Sequence, residues 1–199
     1  TLAWDEFGLG ERFAVVDFHF HRRAEYWFDH HPTTFLTPED EAAFTPDDHR
    51  RFDPASPSCP PIILEHAREA WGWDPGSRYD ELVQWSNIID SASFKNAKQA
   101  LFDRDPALRI MRALTAAPNY HFHDRVLHLI RTQPLVQVAD DVDVDDAYQR
   151  AARNRDKAID AFPATMLERS VTAMLADLRS KKIRREQAAF SRLFKGIHW

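Results

Sequence analysis

The sequence predicts an α/β fold in which a domain built on a small parallel sheet is followed by an all-helical C-terminal extension. Two short apolar runs, FAVVDF at 13–18 and EYWF at 25–28, have the length and composition of buried strands. A proline-rich loop then leads into segments with helical periodicity. These observations place a core domain at residues 1–94 and a helical extension at 95–199.

The connection between the two predicted strands is short. Neighbouring parallel strands need a crossover, usually one that contains a helix of a dozen or more residues. The HRRA connection has no room for such a helix. We therefore expect the two strands either to form a hairpin at one edge of the sheet or to flank another strand.

The long segment at 32–61 is predicted to be a loop, because it holds seven of the 12 prolines together with several Asp and Thr residues. A single helical turn is expected within it at 38–44. A helix follows from Pro60, with Ser58 as its N-cap. After a turn at 74–76, a second helix runs to about Ile89.

The second half of the chain, from Lys95 to Ser191, has helical patterns throughout. Breaks are expected at Pro106, at 116–118, near Pro134 and at Pro163. Two long amphipathic helices flank Pro163, and their apolar faces offer a surface through which the chain could form a homo-oligomer.

Composition narrows the class of protein. The hydrophobic fraction of 44% suits one sizeable core, and no stretch approaches the roughly 18 consecutive apolar residues of a membrane span. The start of the chain lacks a signal-peptide pattern, so we expect a soluble protein with no membrane partner. The single cysteine, Cys59, cannot form an internal disulfide, which favours a cytoplasmic location. We interpret Cys59 as a small buried residue rather than a nucleophile.

Charge is distributed unevenly along the chain. Residues 150–199 carry 12 Lys and Arg against 5 Asp and Glu, whereas residues 1–149 carry 14 against 26. An acidic body repels a phosphorylated substrate unless bound divalent cations neutralise the contact.

The side chains that could bind a metal or take part in a reaction lie within one segment at 14–35, AVVDFHFHRRAEYWFDHHPTTF. Asp17 closes the first apolar run, and Asp29, His30 and His31 close the second. Ligands of α/β sheets bind beyond the carboxyl ends of the strands, so these side chains are expected to converge. Adjacent histidines in extended backbone point to opposite sides, so one can bind a metal while the other faces a different group.

This pattern resembles the DHH phosphoesterase superfamily, in which four signature blocks recur. Three of them have counterparts here within about residues 13–94. The second block is similar to VVDF with Asp17, the third to FDHHPTTF with Asp29, His30 and His31, and the fourth to WSNIIDSASF with Asp90. The intervening segment, with Ser58 and Cys59, is similar to the Ser-led helix start of family members.

The resemblance implies a role for each matched residue. Asp17 would bridge two divalent cations, and His30 and Asp90 would ligate one of them. His31 would contact the substrate phosphate, and Asp29 would orient the histidines. The substrate implied is a nucleotide, a short nucleic acid or a related phosphorylated small molecule.

The implied chemistry is coherent for these residue types. Two cations roughly 3.5–4 Å apart can neutralise a phosphate, activate a water molecule and stabilise the leaving oxygen. Oxygen and imidazole ligands favour Mn²⁺, with Mg²⁺ as the alternative ion.

The first signature block has no counterpart between Thr1 and Phe13. We therefore expect the core to be incomplete at its N-terminus, with the missing ligands either upstream of Thr1 or absent from the site. Two hypotheses follow. One is a metal-dependent phosphodiesterase or phosphatase. The other is a catalytically silent DHH-like binding or structural module that acts through its helical extension.

Overall fold

The computed structural model describes Trp4, residues 11–117 and 119–161, and the backbone of 166–169 and 174–176. The chain divides into two compact units, Thr1–Ser93 and Phe94–Trp199. The first unit contains a parallel sheet and the described part of the second is mainly helical, so the predicted α/β class is confirmed.

The sheet of the first unit has three parallel strands in the order β1-β2-β3. They are β1 (Ala14–Val16), β2 (Tyr26–Asp29) and β3 (Arg50–Phe52). Strands β1 and β2 are direct parallel neighbours, with Val15 opposite Trp27. Both arrangements expected from the sequence, a hairpin and two strands that flank a third, are therefore wrong.

A compact loop at 17–25 replaces the crossover helix. Within this loop Phe20 and Ala24 are buried, and they pack against Val15 and Trp27 on one face of the sheet. The indole nitrogen of Trp27 also donates a hydrogen bond to the Phe18 carbonyl at 3.1 Å. The apolar side chains of the loop thus cover this face of the sheet, which a crossover helix covers in most parallel sheets.

Strand β3 lies inside the segment that the sequence predicts to be a loop. Its sequence, RRF, contains no apolar run, so its pattern does not indicate a strand. The Arg51 guanidinium lies beside the carboxylates of Glu65 and Glu69, which neutralise it. Helix α1 (Pro38–Ala43) forms where a single helical turn was predicted.

Two helices complete the first unit. Helix α2 (Cys59–Trp71) begins after Ser58, as predicted, and buries Cys59 and Ile62 against Phe28 of the sheet. Helix α3 (Asp80–Asp90) follows a short 3₁₀ turn at Gly76–Tyr79, and none of its residues is fully buried.

The second unit begins with five helices: α4 (Ala97–Phe102), α5 (Pro106–Ala116), α6 (Tyr120–Thr132), α7 (Leu135–Ala139) and α8 (Val142–Ala161). The breaks at Pro106, 116–117 and Pro134 fall where they were predicted. An unpredicted break separates α7 from α8, and the Arg109 guanidinium bridges the carboxylates of Asp140 and Asp145 across it.

The prediction of an all-helical extension is wrong at 166–169 and 174–176. Strands β4 (Met166–Arg169) and β5 (Met174–Ala176) form an antiparallel pair there. A short apolar segment fits either a helix or a strand, and the pairing of two such segments across a short connection favours the strands. The expected break at Pro163, and the part beyond residue 176 of the long helix predicted to follow it, lie outside the described residues. No helix in the described parts of the chain combines the length and apolarity needed to cross a bilayer.

Candidate metal centre

The residues singled out from the sequence meet at the carboxyl edge of the sheet. Asp17 follows β1, Asp29 ends β2, and His30 and His31 come directly after it. Asp90 is the last residue of α3. Three separate segments of the first unit therefore supply side chains to one site.

Asp17 occupies an unusual backbone conformation. Its φ angle is +60°, in the left-handed region that Asp and Asn tolerate better than most residues. The Asp17 backbone N–H donates to the Phe28 carbonyl at 2.9 Å, which extends the β1–β2 pairing by one residue. This turn sets the carboxylate at the strand end, where Asp17 Oδ1 lies 3.3 Å from His30 Nε2.

The hydrogen bond on one nitrogen of His30 fixes its ring. Nδ1 donates to the Ser56 carbonyl at 3.1 Å, because a carbonyl oxygen can only accept. In the neutral imidazole the lone pair therefore lies on Nε2, which has Asp90 Oδ2 at 2.9 Å in addition to Asp17 Oδ1. A histidine whose second nitrogen is held in this way is the usual form of a metal ligand.

Two buried polar atoms of the site lack hydrogen-bond partners among the described residues: His30 Nε2 and Asp29 Oδ2. The Asp90 oxygen is close to His30 Nε2, but their geometry is not that of a hydrogen bond. A buried nitrogen with no hydrogen-bond partner, lying between two carboxylates, lowers the stability of the fold unless a cation or a proton lies among these groups. The donors present therefore fit a bound cation.

Asp29 supports His31 rather than His30. Its side chain is 1% exposed, and Oδ1 accepts a hydrogen bond from His31 Nδ1 at 2.8 Å. This hydrogen bond raises the pKa of His31 above its ordinary value, and the negative charges of Asp29, Asp17 and Asp90 act in the same direction. The His31 side chain is 46% exposed, so its ring is accessible to a bound molecule.

The ligand atoms of four residues, Asp17, Asp29, His30 and His31, lie within 4.8 Å of one another. Asp90 adds a fifth group through its contact with His30. Carboxylate oxygens and imidazole nitrogens suit several divalent cations, and the arrangement itself identifies no particular ion.

Sequence reasoning missed Ser56, which contacts His30, and Asn87, which bonds to Ser58. The Ser56 carbonyl holds His30, and a backbone carbonyl leaves no signal in the sequence. The Asn87 side chain accepts a hydrogen bond from the Ser58 hydroxyl at 2.6 Å. Ser58 lies at the predicted N-cap position, but its hydroxyl makes no capping hydrogen bond to α2.

Cys59 lies behind the site and is 2% exposed. Its thiol lies 3.3 Å from the Phe28 carbonyl. Burial raises the pKa of this thiol to about 12, and the negative charge of Asp17 adds to the rise. The group is therefore neutral at physiological pH and has none of the features of an activated nucleophile.

Comparisons of the chain with protein-family models, with curated proteins and with solved structures gave no match.

Proposed function

We propose that this protein is a metal-dependent phosphoesterase of the DHH type, acting on a nucleotide, a short oligonucleotide or a related phosphoester. The observation that supports this proposal is the meeting of Asp17, His30 and Asp90 at the carboxyl edge of the sheet, around a buried nitrogen that lacks a hydrogen-bond partner. The order of these residues along the chain also fits the second, third and fourth DHH blocks.

Asp17, His30 and Asp90 would hold a cation, and Asp17 would also bind a second ion, as the resemblance to the DHH family implies. Mn²⁺ is the ion we propose, as a pair, with Mg²⁺ as the alternative. When bound, such ions neutralise a phosphate group and lower the pKa of a water molecule that attacks it.

His31 and Asp29 act on the substrate side of the proposed site. The Asp29 carboxylate holds Nδ1 of His31, which fixes the ring and favours its protonated form. A protonated His31 donates from Nε2 to a phosphate oxygen and places the ester for attack. Asp29 therefore works through His31, as a buried carboxylate that orients it and stabilises its charge.

A hydrolysis assay on the purified full chain tests this function. The chain is stripped of metal with a chelator, supplied with Mn²⁺, and given bis(p-nitrophenyl) phosphate and p-nitrophenyl phosphate as diester and monoester probes. We expect Mn²⁺-dependent hydrolysis that His31→Ala lowers by about 100-fold or more. His128→Ala is the matched control, because His128 is an exposed histidine of the other unit, and it should leave the rate unchanged.

The alternative is a catalytically silent module that acts through its helical extension. It predicts that the chain neither binds Mn²⁺ nor hydrolyses either probe. Hydrolysis that is equally fast with and without Mn²⁺ would contradict both hypotheses, the metal-dependent phosphoesterase and the catalytically silent module.

A further inference from the structure

We propose that Ser58 and Asn87 are positioning residues that hold Asp90 in place at the metal centre. The inference rests on the proposed metal site, and it assigns a role in that site to two residues that touch no metal. The Ser58 hydroxyl donates to Asn87 Oδ1 at 2.6 Å, and this bond joins the start of α2 to α3.

The bond to Asn87 satisfies a buried hydroxyl, that of Ser58. The residue is 1% exposed and precedes α2, yet its hydroxyl makes no capping bond to that helix. A buried hydroxyl without a hydrogen-bond partner destabilises the fold, so the bond to Asn87 is strongly preferred once Ser58 is buried.

Helix α3 is only partly buried. None of its residues is fully buried, and a cavity of about 680 Å³ lies between α2 and α3. Side chains from both helices line this cavity, including Ile62, Val83 and Asn87. Because α3 has no fully buried side chain to anchor it, a short side-chain hydrogen bond to the start of α2 helps to fix its position.

Asn87 is one helical turn before Asp90, so holding Asn87 fixes the turn that carries the ligand. The Asn87 carbonyl accepts from the Ser91 backbone N–H at 3.2 Å and from the Ser91 hydroxyl at 2.6 Å. Asp90 lies inside the turn that these bonds close. The position of the Asp90 carboxylate therefore depends on where Asn87 is held.

The segment at 56–58, just before α2, also orients His30. The Ser56 hydroxyl donates to the Ser58 carbonyl at 2.8 Å, and the Ser56 carbonyl accepts from His30 Nδ1 at 3.1 Å. A continuous path of hydrogen bonds thus joins His30, through Ser56 and Ser58, to Asn87 and the turn of Asp90. The same short segment, 56–58, therefore helps to position both proposed ligands, His30 and Asp90.

The test measures Mn²⁺ affinity and the melting temperature of the metal-free chain for the wild type, three single variants and one double variant. The decisive variant is Asn87→Ala, because alanine is a better helix former than asparagine and the helix itself should not weaken. Ser58→Ala removes the other partner of the bond. Ser86→Ala is the matched control, since the Ser86 hydroxyl bonds to the Leu82 carbonyl within the same helix and away from Ser58.

We expect Asn87→Ala and Ser58→Ala each to weaken Mn²⁺ binding by about tenfold or more, as removal of groups that orient metal ligands commonly does. Combining the two changes should weaken it little further, because both remove the same bond. Ser86→Ala should bind Mn²⁺ like the wild type.

Wild-type affinity in Asn87→Ala, measured on a folded metal-free chain, would overturn the positioning role while leaving the metal site intact. An equal loss of affinity in Ser86→Ala would overturn it as well, because any disturbance of α3 would then suffice. A wild type that binds no Mn²⁺ would overturn the proposed metal site itself, and this inference with it.

Discussion

His30 Nε2 and Asp90 Oδ2 lie 2.9 Å apart, although His30 follows the central strand and Asp90 ends a helix. With Nδ1 of His30 bound to the Ser56 carbonyl, a neutral imidazole turns a lone pair toward that carboxylate. Two acceptors at this separation repel each other unless a cation lies between them or the histidine is protonated.

The two adjacent histidines should separate metal binding from turnover. His30→Ala removes a proposed ligand, so we expect it to lower Mn²⁺ affinity by at least about tenfold. His31→Ala removes a group proposed to contact the phosphate, so we expect a large fall in kcat with near wild-type Mn²⁺ affinity. Titration with Mn²⁺ and steady-state kinetics measure the two quantities. Equal effects of both changes on both quantities would argue against the assigned roles.

Asp90→Asn should not destabilise the metal-free chain. Asp90 is at the C-terminal end of α3, where the helix dipole disfavours a negative charge, and no basic residue lies in that last turn. Neutralising it should leave the free energy of unfolding unchanged or raise it by about 0.3–1 kcal/mol, while Mn²⁺ affinity falls. Denaturant unfolding in the presence of a chelator measures the first effect. A loss of stability with the metal removed would show that Asp90 has a structural role instead.

Cys59 should be dispensable for hydrolysis. Because the thiol is buried and its pKa is raised to about 12, a thiol reagent at pH 8 should label it only after unfolding. Cys59→Ala should retain Mn²⁺-dependent turnover of the diester probe, with a loss of stability of about 1 kcal/mol from the smaller side chain. Rapid labelling of the native chain, together with inactivation, would point to a cysteine nucleophile.

The sequence predicts the site better than it predicts the sheet around it. The positions of Asp17 and Asp29 at the ends of apolar runs indicate a shared edge, because the carboxyl ends of parallel strands lie together. The structure brings these residues together with His30 and Asp90. Residue type and spacing carry this kind of information directly.

Other features depend on tertiary contacts that leave no local pattern. Strand β3 is formed by Arg50, Arg51 and Phe52, and its arginines hide it from a search for apolar runs. The direct parallel pairing of β1 and β2 depends on Phe20 and Ala24 covering the sheet in place of a helix. The bond between Ser58 and Asn87 joins distant parts of the chain, so only the folded structure shows it.

Asp17 offers the cleanest single change at the metal centre. Asn preserves the size of the side chain and tolerates the left-handed φ of +60° at this position, so Asp17→Asn removes charge without adding backbone strain. Since a ligand oxygen of Asp17 lies within 4.8 Å of the Asp29 carboxylate, neutralising Asp17 should make the metal-free chain no less stable at a pH where His31 is uncharged.

The most direct test of the metal centre is the melting temperature of the chelator-treated chain as Mn²⁺ is added. When free Mn²⁺ is at 100 times its dissociation constant and binds only the native state, it adds about 2.7 kcal/mol to the free energy of unfolding. For a chain of this size, this raises the melting temperature by roughly 5–10 °C. We predict this rise for the wild type, its reversal by chelator, and its loss in Asp17→Asn. A wild-type melting temperature that does not respond to Mn²⁺, at concentrations where Mn²⁺-dependent hydrolysis is also absent, would contradict the account.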